Sequence, residues 1–148
     1  MKTILFLLGV LFSFFKKDEG SSSISVKRVS EQLYIMTGKE YGTNIGVIAT
    51  DKGIVLIDPM PGKLYLGNLA AIISNLYEQP ITYLLNSHQH EDHTGGNRYF
   101  LEKFAIVTDN TFDDIEQIAV SSHSATDYIF YHKPSNSIFV GDKMLSAI

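Results

Sequence analysis

The sequence predicts a layered α/β domain, and three observations carry that expectation. Short β-rich runs surround one long amphipathic stretch, Lys63 to Glu78; the continuous apolar run Ile54-Val55-Leu56-Ile57 has the pattern of a strand covered on both faces; and neither a repeat nor a low-complexity linker interrupts the order from Ile24 onward. A length of 148 residues, 45% hydrophobic and 19% charged, is that of one globular domain. The net charge of -4 and the pI near 5.7, without a long Lys/Arg run, leave no electrostatic footprint for nucleic acid. Cysteine is absent, which removes disulfides, thiolate ligands and a thiol nucleophile, so a metal ion would have to be held by His, Asp and Glu.

The elements follow in chain order. Lys2 precedes a 12-residue apolar run, Ile4 to Phe15. That run is shorter than the roughly 20 residues needed to span a bilayer and suits the core of a signal peptide, so residues 1–23 are expected to be a signal peptide and residues 24–148 the folded domain. Export to the periplasm or the outside of the cell follows, with a membrane anchor at residues 4–15 as the alternative. Ile24 to Val29 and Leu33 to Met36 read as strands, and Asn44 to Ala49 pairs with Gly53 to Ile57 across the turn Thr50-Asp51-Lys52-Gly53. The next stretch, Lys63 to Glu78, places Leu66, Leu69, Ile73 and Leu76 at helical spacing and ends before Pro80. Ile81 to Leu85 is a further strand, followed by a short helix from Asn97 to Lys103 and a strand from Ala105 to Thr108. Ile115 to Val120, Asp127 to Tyr131 and Ile138 to Val140 complete the strands, the last two joined by the turn Pro134 to Ser137.

The segment Asn-Ser-His-Gln-His-Glu-Asp-His-Thr-Gly-Gly-Asn, residues 86–97, holds three of the five histidines. His88 and His90, two apart at the end of a strand, lie on one side of the pleat and can reach a common point. Asp92 and His93 on the following turn can hold a cation beside it, since a buried carboxylate needs a partner and a buried imidazole a hydrogen bond. Gly95 and Gly96 are expected to let the backbone turn sharply into the helix. Any one of these histidines alone is more often a surface or hydrogen-bonded core residue; the gathering is what points to a metal site of imidazole nitrogen and carboxylate oxygen.

His88-x-His90-x-Asp92-His93, followed by Gly95-Gly96-Asn97 and preceded by Ile57-Asp58 at the end of a buried strand, resembles the metallo-β-lactamase superfamily of metal-dependent hydrolases. Ser122 to Asp127 is similar to the family's segment with a third histidine, and Phe139-Val140-Gly141-Asp142 to its strand ending in Gly-Asp. The resemblance implies an αββα sandwich in which His88, His90 and His123 hold one Zn2+, Asp92 and His93 hold a second, and Asp142 bridges them. It implies that Asp92 orients the attacking hydroxide and receives its proton, and that Asp58 supports the ligands from behind. The implied chemistry is attack of metal-activated water on the carbonyl of a small ester, thioester, lactone or β-lactam. The family's cysteine-ligand β-lactamases are disfavoured, because Asp142 stands where they carry a thiolate. His132 matches nothing in the pattern and is expected to be a solvent-facing strand residue.

Two departures shape the expectation. Only 29 residues separate His93 from His123, and the sequence runs six residues past Asp142, without the later histidine that completes the family's second site. An incomplete sandwich, holding one or two zinc ions, is therefore expected, with part of a sheet face left apolar and exposed. A second copy could cover that face in a homodimer. The alternative function is a truncated or degenerate member that binds zinc, or no metal, without catalysis.

Overall fold

The computed structural model describes residues 24–39, 42–108, 112–121 and 127–142. The expected signal peptide and His123 lie outside the described residues. Six strands form one sheet in sequence order: β1 (Ile24–Arg28), β2 (Leu33–Gly38), β3 (Asn44–Thr50), β4 (Gly53–Ile57), β5 (Ile81–Leu85) and β6 (Ile106–Val107). The first four are antiparallel neighbours, whereas β4, β5 and β6 run parallel. Parallel neighbours require a crossover. The first crossover is α1 (Lys63–Leu76); the second contains α2 (Glu91–Thr94) and α3 (Asn97–Leu101). A second sheet, antiparallel, is formed by β7 (Ile115–Val120), β8 (Asp127–His132) and β9 (Ser137–Phe139).

The continuous apolar run of β4 is explained by the layers on either side of it. Ile54 and Leu56 join Leu66, Leu69, Ile73 and Phe100 in the core beneath the helices, while Val55 and Ile57 join Ile115, Phe130 and Phe139 between the two sheets. Alternate side chains of one strand therefore serve both cores, and all five residues of β4 are buried. The layers are helices, large sheet and small sheet. Among the described residues no helix covers the outer face of the small sheet, where Ile118 and Ile138 are 40% and 61% exposed. None of the described helices is long and apolar enough to cross a membrane.

Four local expectations are corrected. The helix at Lys63 stops at Leu76, two residues before Glu78, because Tyr77 turns extended (φ -138°) and is held there by its hydroxyl, which donates to the Glu31 carbonyl at 3.0 Å, and by an edge contact with Tyr34. His88 and His90 lie in the loop beyond β5 rather than on its pleat, and Asp92 and His93 on the helical turn α2 rather than an open turn. Gly95 and Gly96 have ordinary right-handed helical angles, so space is what selects glycine there. A Cβ at Gly96 would stand 2.6 Å from the Pro59 carbonyl oxygen and 2.7 Å from that of Met60, and one at Gly95 would stand 2.5 Å from Pro61 Cβ. His132 is buried, not solvent-facing. Its register partners are Ile115 and Ser137, which place it with Phe130 on the face turned towards the large sheet.

Close packing at the glycines makes a paired prediction. Gly96→Ala pushes Cβ against two backbone oxygens that cannot swing away, and should cost about 1–3 kcal/mol of stability. Gly67→Ala on α1, where the nearest atom is the Tyr99 hydroxyl at 3.8 Å, should instead gain about 0.5–1 kcal/mol by removing a helix-interior glycine. Urea midpoints should move in opposite directions, and a Gly96→Ala chain as stable as its parent would refute the close-contact account.

The buried His132 ring generates a second prediction. Its Nδ1 lies 2.6 Å from Ser135 Oγ, while Nε2 finds no hydrogen-bond partner among the described residues. Burial lowers its pKa from the ordinary 6.5, a shift that the nearby Asp114 only partly offsets. The unfolded chain therefore takes up the proton first, so this contribution to stability is intact above pH 6.5 and is lost as pH falls from there through the lower folded value. Thermal midpoints of the parent should drop more steeply with acidification than those of His132→Leu; parallel profiles would refute the linkage.

Candidate metal centre

The parallel strands β4 and β5 end side by side, and their C-terminal ends carry the first groups of the site. In sheets of this kind, ligands collect where the loops leave the carboxyl ends of the strands. The Asp58 backbone N–H donates to the Leu85 carbonyl at 2.9 Å, so the two strand ends are fastened where β4 delivers Asp58 and β5 delivers Ser87 and His88. Asp58 sits in the left-handed region (φ 55°), a conformation that aspartate tolerates better than most residues with a Cβ.

The ligand loop is anchored at several points. Asn86 donates its side-chain amide to the His93 carbonyl at 2.9 Å and accepts from the Asn97 amide at 2.8 Å, tying the beginning of the loop to its end. The Thr94 hydroxyl donates to the His90 carbonyl at 3.0 Å, and the Thr43 hydroxyl to the Asp92 carbonyl at 3.2 Å. His88, Ser87, Asp58 and His93 are buried; Asp92, Asp142 and His90 face more open space.

Within this frame five of the six sequence-predicted ligands converge. His88 Nε2 and His90 Nδ1 are 3.1 Å apart. Two nitrogens each about 2.0–2.1 Å from one zinc ion in tetrahedral geometry would stand about 3.3 Å from each other, so the pair fits a shared ion. His93 Nε2 is 3.1 Å from Asp142 Oδ1 and 3.4 Å from Asp92 Oδ2. Asp142 reaches both histidine groups, since its other oxygen is 3.7 Å from His88 Nε2. Two sets of donor atoms, His88 with His90 and Asp92, and His88 with His93 and Asp142, each lie within 4.8 Å of one another. His123, the sixth, lies outside the described residues.

Asp58 stands behind the histidine cluster. Its Oδ2 is 3.1 Å from His93 Nδ1 and its Oδ1 accepts the Ser87 backbone N–H at 2.7 Å, leaving His93 Nε2 turned towards Asp92 and Asp142. A carboxylate on the far nitrogen of a ligand histidine fixes its tautomer and raises its basicity. Burial alone would lower the His93 pKa. The Asp58 hydrogen bond and the charges of Asp58, Asp142 and Asp92 outweigh burial, so the net shift is upward and the ring sits in a field that favours positive charge.

Sequence reasoning missed three contributors. Ser87 is fully buried with its hydroxyl 3.0 Å from His88 Nδ1, Asn86 locks the loop, and Gly141 (φ 55°) lets the chain pass against them. A Cβ at Gly141 would stand 2.5 Å from Ser87 Oγ. The position of Gly141 before the predicted ligand Asp142 was a usable signal; nothing in the sequence marked Ser87. A cleft of about 590 Å³ opens over the cluster, with Asp92, His93 and Asp142 along it and Ile35, Ile138 and Val140 among its apolar walls.

The sequence profile of the metallo-beta-lactamase superfamily matches residues 38–110, the stretch from the end of β2 past the histidine cluster. Metallo-beta-lactamase IND-1 of Chryseobacterium indologenes is 26% identical over 117 residues, 72% of this chain and 49% of that protein. The type 2 metallo-beta-lactamase of Elizabethkingia meningoseptica is 26% identical over 83 residues, 52% of this chain and 33% of that protein. The chain thus spans half or less of these relatives. Among solved structures, a metallo-beta-lactamase from Pontibacter korlensis superposes with a TM-score of 0.61 at 20% identity, covering 80% of this chain and 71% of the other. One from Hirschia baltica gives 0.55 at 17% identity, covering 79% and 70%. These structures share the fold, an αββα sandwich of which the described residues supply part, and the profile match falls on the strands and turn that assemble the histidine cluster: the chain belongs to the metallo-β-lactamase superfamily.

Proposed function

We propose that this chain is an exported zinc-dependent hydrolase that opens the carbonyl of a small ester, thioester, lactone or β-lactam. The observation that carries the reading is Asp142, one carboxylate with an oxygen towards each of two imidazole groups, 3.1 Å from His93 Nε2 and 3.7 Å from His88 Nε2. A carboxylate so placed suits a bridge between two cations. His88, His90 and, by resemblance, His123 would hold the first; Asp92 and His93 would hold the second. Zinc bound there would act as a Lewis acid and supply a water that ionises near neutral pH.

The remaining work falls to this chain's own groups. Asp92 is the one carboxylate of the cluster on the ligand helix α2, and its side chain is 45% exposed towards the cleft. It is placed to orient an attacking water and accept its proton, the part of the reaction a general base performs. The tether from Thr43 to the Asp92 backbone holds α2 against the loop between β2 and β3. Asp58 keeps the Nδ1 proton of His93 on the far side of the ring, so Nε2 stays a donor of electrons into the site. Ile35, Ile138 and Val140 give the substrate an apolar surface beside the carboxylates and exclude water from one side of it.

The 148-residue chain, equilibrated with a zinc buffer and analysed for metal, should carry about two zinc ions per chain if the binuclear arrangement forms, or about one if only the first site holds. His93→Ala should lose the second ion and His88→Ala the first. A folded parent chain without zinc would sink the reading. Turnover screened across lactones, thioesters, esters and β-lactams should vanish with a chelator, and should fall on the order of 10²–10⁴-fold in Asp92→Asn. Undiminished turnover in Asp92→Asn would remove Asp92 from the proton transfer.

A further inference from the structure

We propose that Ser87 is a positioning residue of the metal centre, whose buried hydroxyl takes the Nδ1 side of His88 and commits that ring to present Nε2 to the ion. The inference rests on the reading of the cluster as a metal site. Ser87 has no exposed surface, and its main chain is pinned at both ends: its N–H donates to Asp58 Oδ1 at 2.7 Å, and its carbonyl accepts the Tyr128 N–H at 2.7 Å. Gly141 packs against the hydroxyl so closely that a Cβ there would come within 2.5 Å. With the backbone held and the space around it filled, Oγ is fixed beside two imidazoles, 3.0 Å from His88 Nδ1 and 3.5 Å from His93 Nδ1.

The two distances are resolved by what each nitrogen faces. Asp58 Oδ2, 3.1 Å from His93 Nδ1, can only accept when ionised, so the Nδ1 proton of His93 belongs to Asp58. Ser87 Oγ is left to His88. When His88 gives Nε2 to a metal ion, its ring proton must sit on Nδ1, and a buried N–H needs an acceptor. Ser87 Oγ lies at hydrogen-bond distance for that role, 3.0 Å from a ring whose side chain is 0% exposed. A hydroxyl also suits the metal-free ring. It can rotate and donate to Nδ1 when the proton moves to Nε2, which then faces His90 Nδ1 at 3.1 Å. One oxygen therefore serves both tautomers of His88, and Asp58 ties the same residue's backbone to His93. The Asp58–Ser87 pair aligns both buried ligand rings from behind.

The test uses the whole chain with zinc and cobalt(II) as probes. Ser87→Ala should keep the thermal midpoint of the metal-free chain within a few degrees while weakening zinc binding about 10–100-fold in chelator competition, the loss typical of an outer partner of a ligand histidine. The cobalt(II) absorption should shift, because one imidazole is no longer held. Should Ser87→Ala fail to fold, the parent decides the matter: an imidazole ¹⁵N–¹H correlation spectrum of the zinc-loaded chain should show His88 protonated on Nδ1, with that proton slow to exchange. A zinc-loaded His88 protonated on Nε2, or a folded Ser87→Ala chain with parental zinc affinity and cobalt spectrum, overturns the inference while leaving the hydrolase reading standing. A parent chain that takes up no zinc overturns both.

Discussion

The carboxylate of Asp58 is the constraint around which the rest of the site is arranged. It sits at the end of a strand buried in two cores, in a left-handed conformation that costs on the order of 1–3 kcal/mol for a residue with a Cβ. It is held there by a backbone bond to the end of β5 and by the two partners of its carboxylate, the Ser87 N–H and the His93 ring. Each partner belongs to a different part of the ligand loop. One residue thus ties the first histidine, which follows Ser87, to the last, on α2. Remove the carboxylate and a buried N–H and a buried imidazole lose their acceptor together, so the rings would lose their alignment before the sheet lost its strands.

The layers explain why such a joint can be rigid. β4 contributes side chains to both cores, and its neighbours β3 and β5 are hydrogen-bonded along it, so its C-terminal end has little freedom. The small sheet closes the site from the other side. β9 brings Phe139 into the core between the sheets, and the chain then passes Gly141 against Ser87 to deliver Asp142. The close approaches at Gly95, Gly96 and Gly141 are the same constraint in three places: backbone meets backbone or a buried side chain where a Cβ would intrude.

Much of this was legible in the sequence because it has a period or a density. The strands β3, β4 and β5, the amphipathic face of α1 and the concentration of histidines around Asp92 each leave such a mark, and β5 has the predicted bounds. Features without a mark were misread or missed. The turn α2 has four residues, too few to display a helical period. His132, which matches nothing in the family's pattern, reads from sequence as a solvent-facing strand residue, and only the register with Ile115 and Ser137 puts it inside. The glycine pair was given a conformational reason when the cause is proximity to Pro59, Met60 and Pro61, residues that spacing alone does not bring near. Ser87 is chemically quiet, and its role exists only through the atoms it touches. The approach of Asp142 to His93, 49 residues earlier, was available through family resemblance and not through any local pattern.

Charge explains why the cluster takes this form and not another. Three carboxylates around one buried imidazole are unfavourable in a protein interior unless positive charge shares the space with them. Among the described residues no Lys or Arg joins this cluster, and the His93 ring is accordingly held above its ordinary pKa despite burial. The carboxylates are not equivalent, however. Asp58 faces Nδ1, while Asp92 and Asp142 face Nε2 on the other edge of the ring. A proton on Nε2 answers only part of the negative charge on that edge. A divalent cation held by His93 and these carboxylates would answer more of it, while the Nδ1 proton would remain with Asp58. The imidazole separates a permanent hydrogen bond from an exchangeable charge, and that separation suits Asp58 to support the ring and Asp92 and Asp142 to meet a cation, although all three are aspartates within reach of one ring.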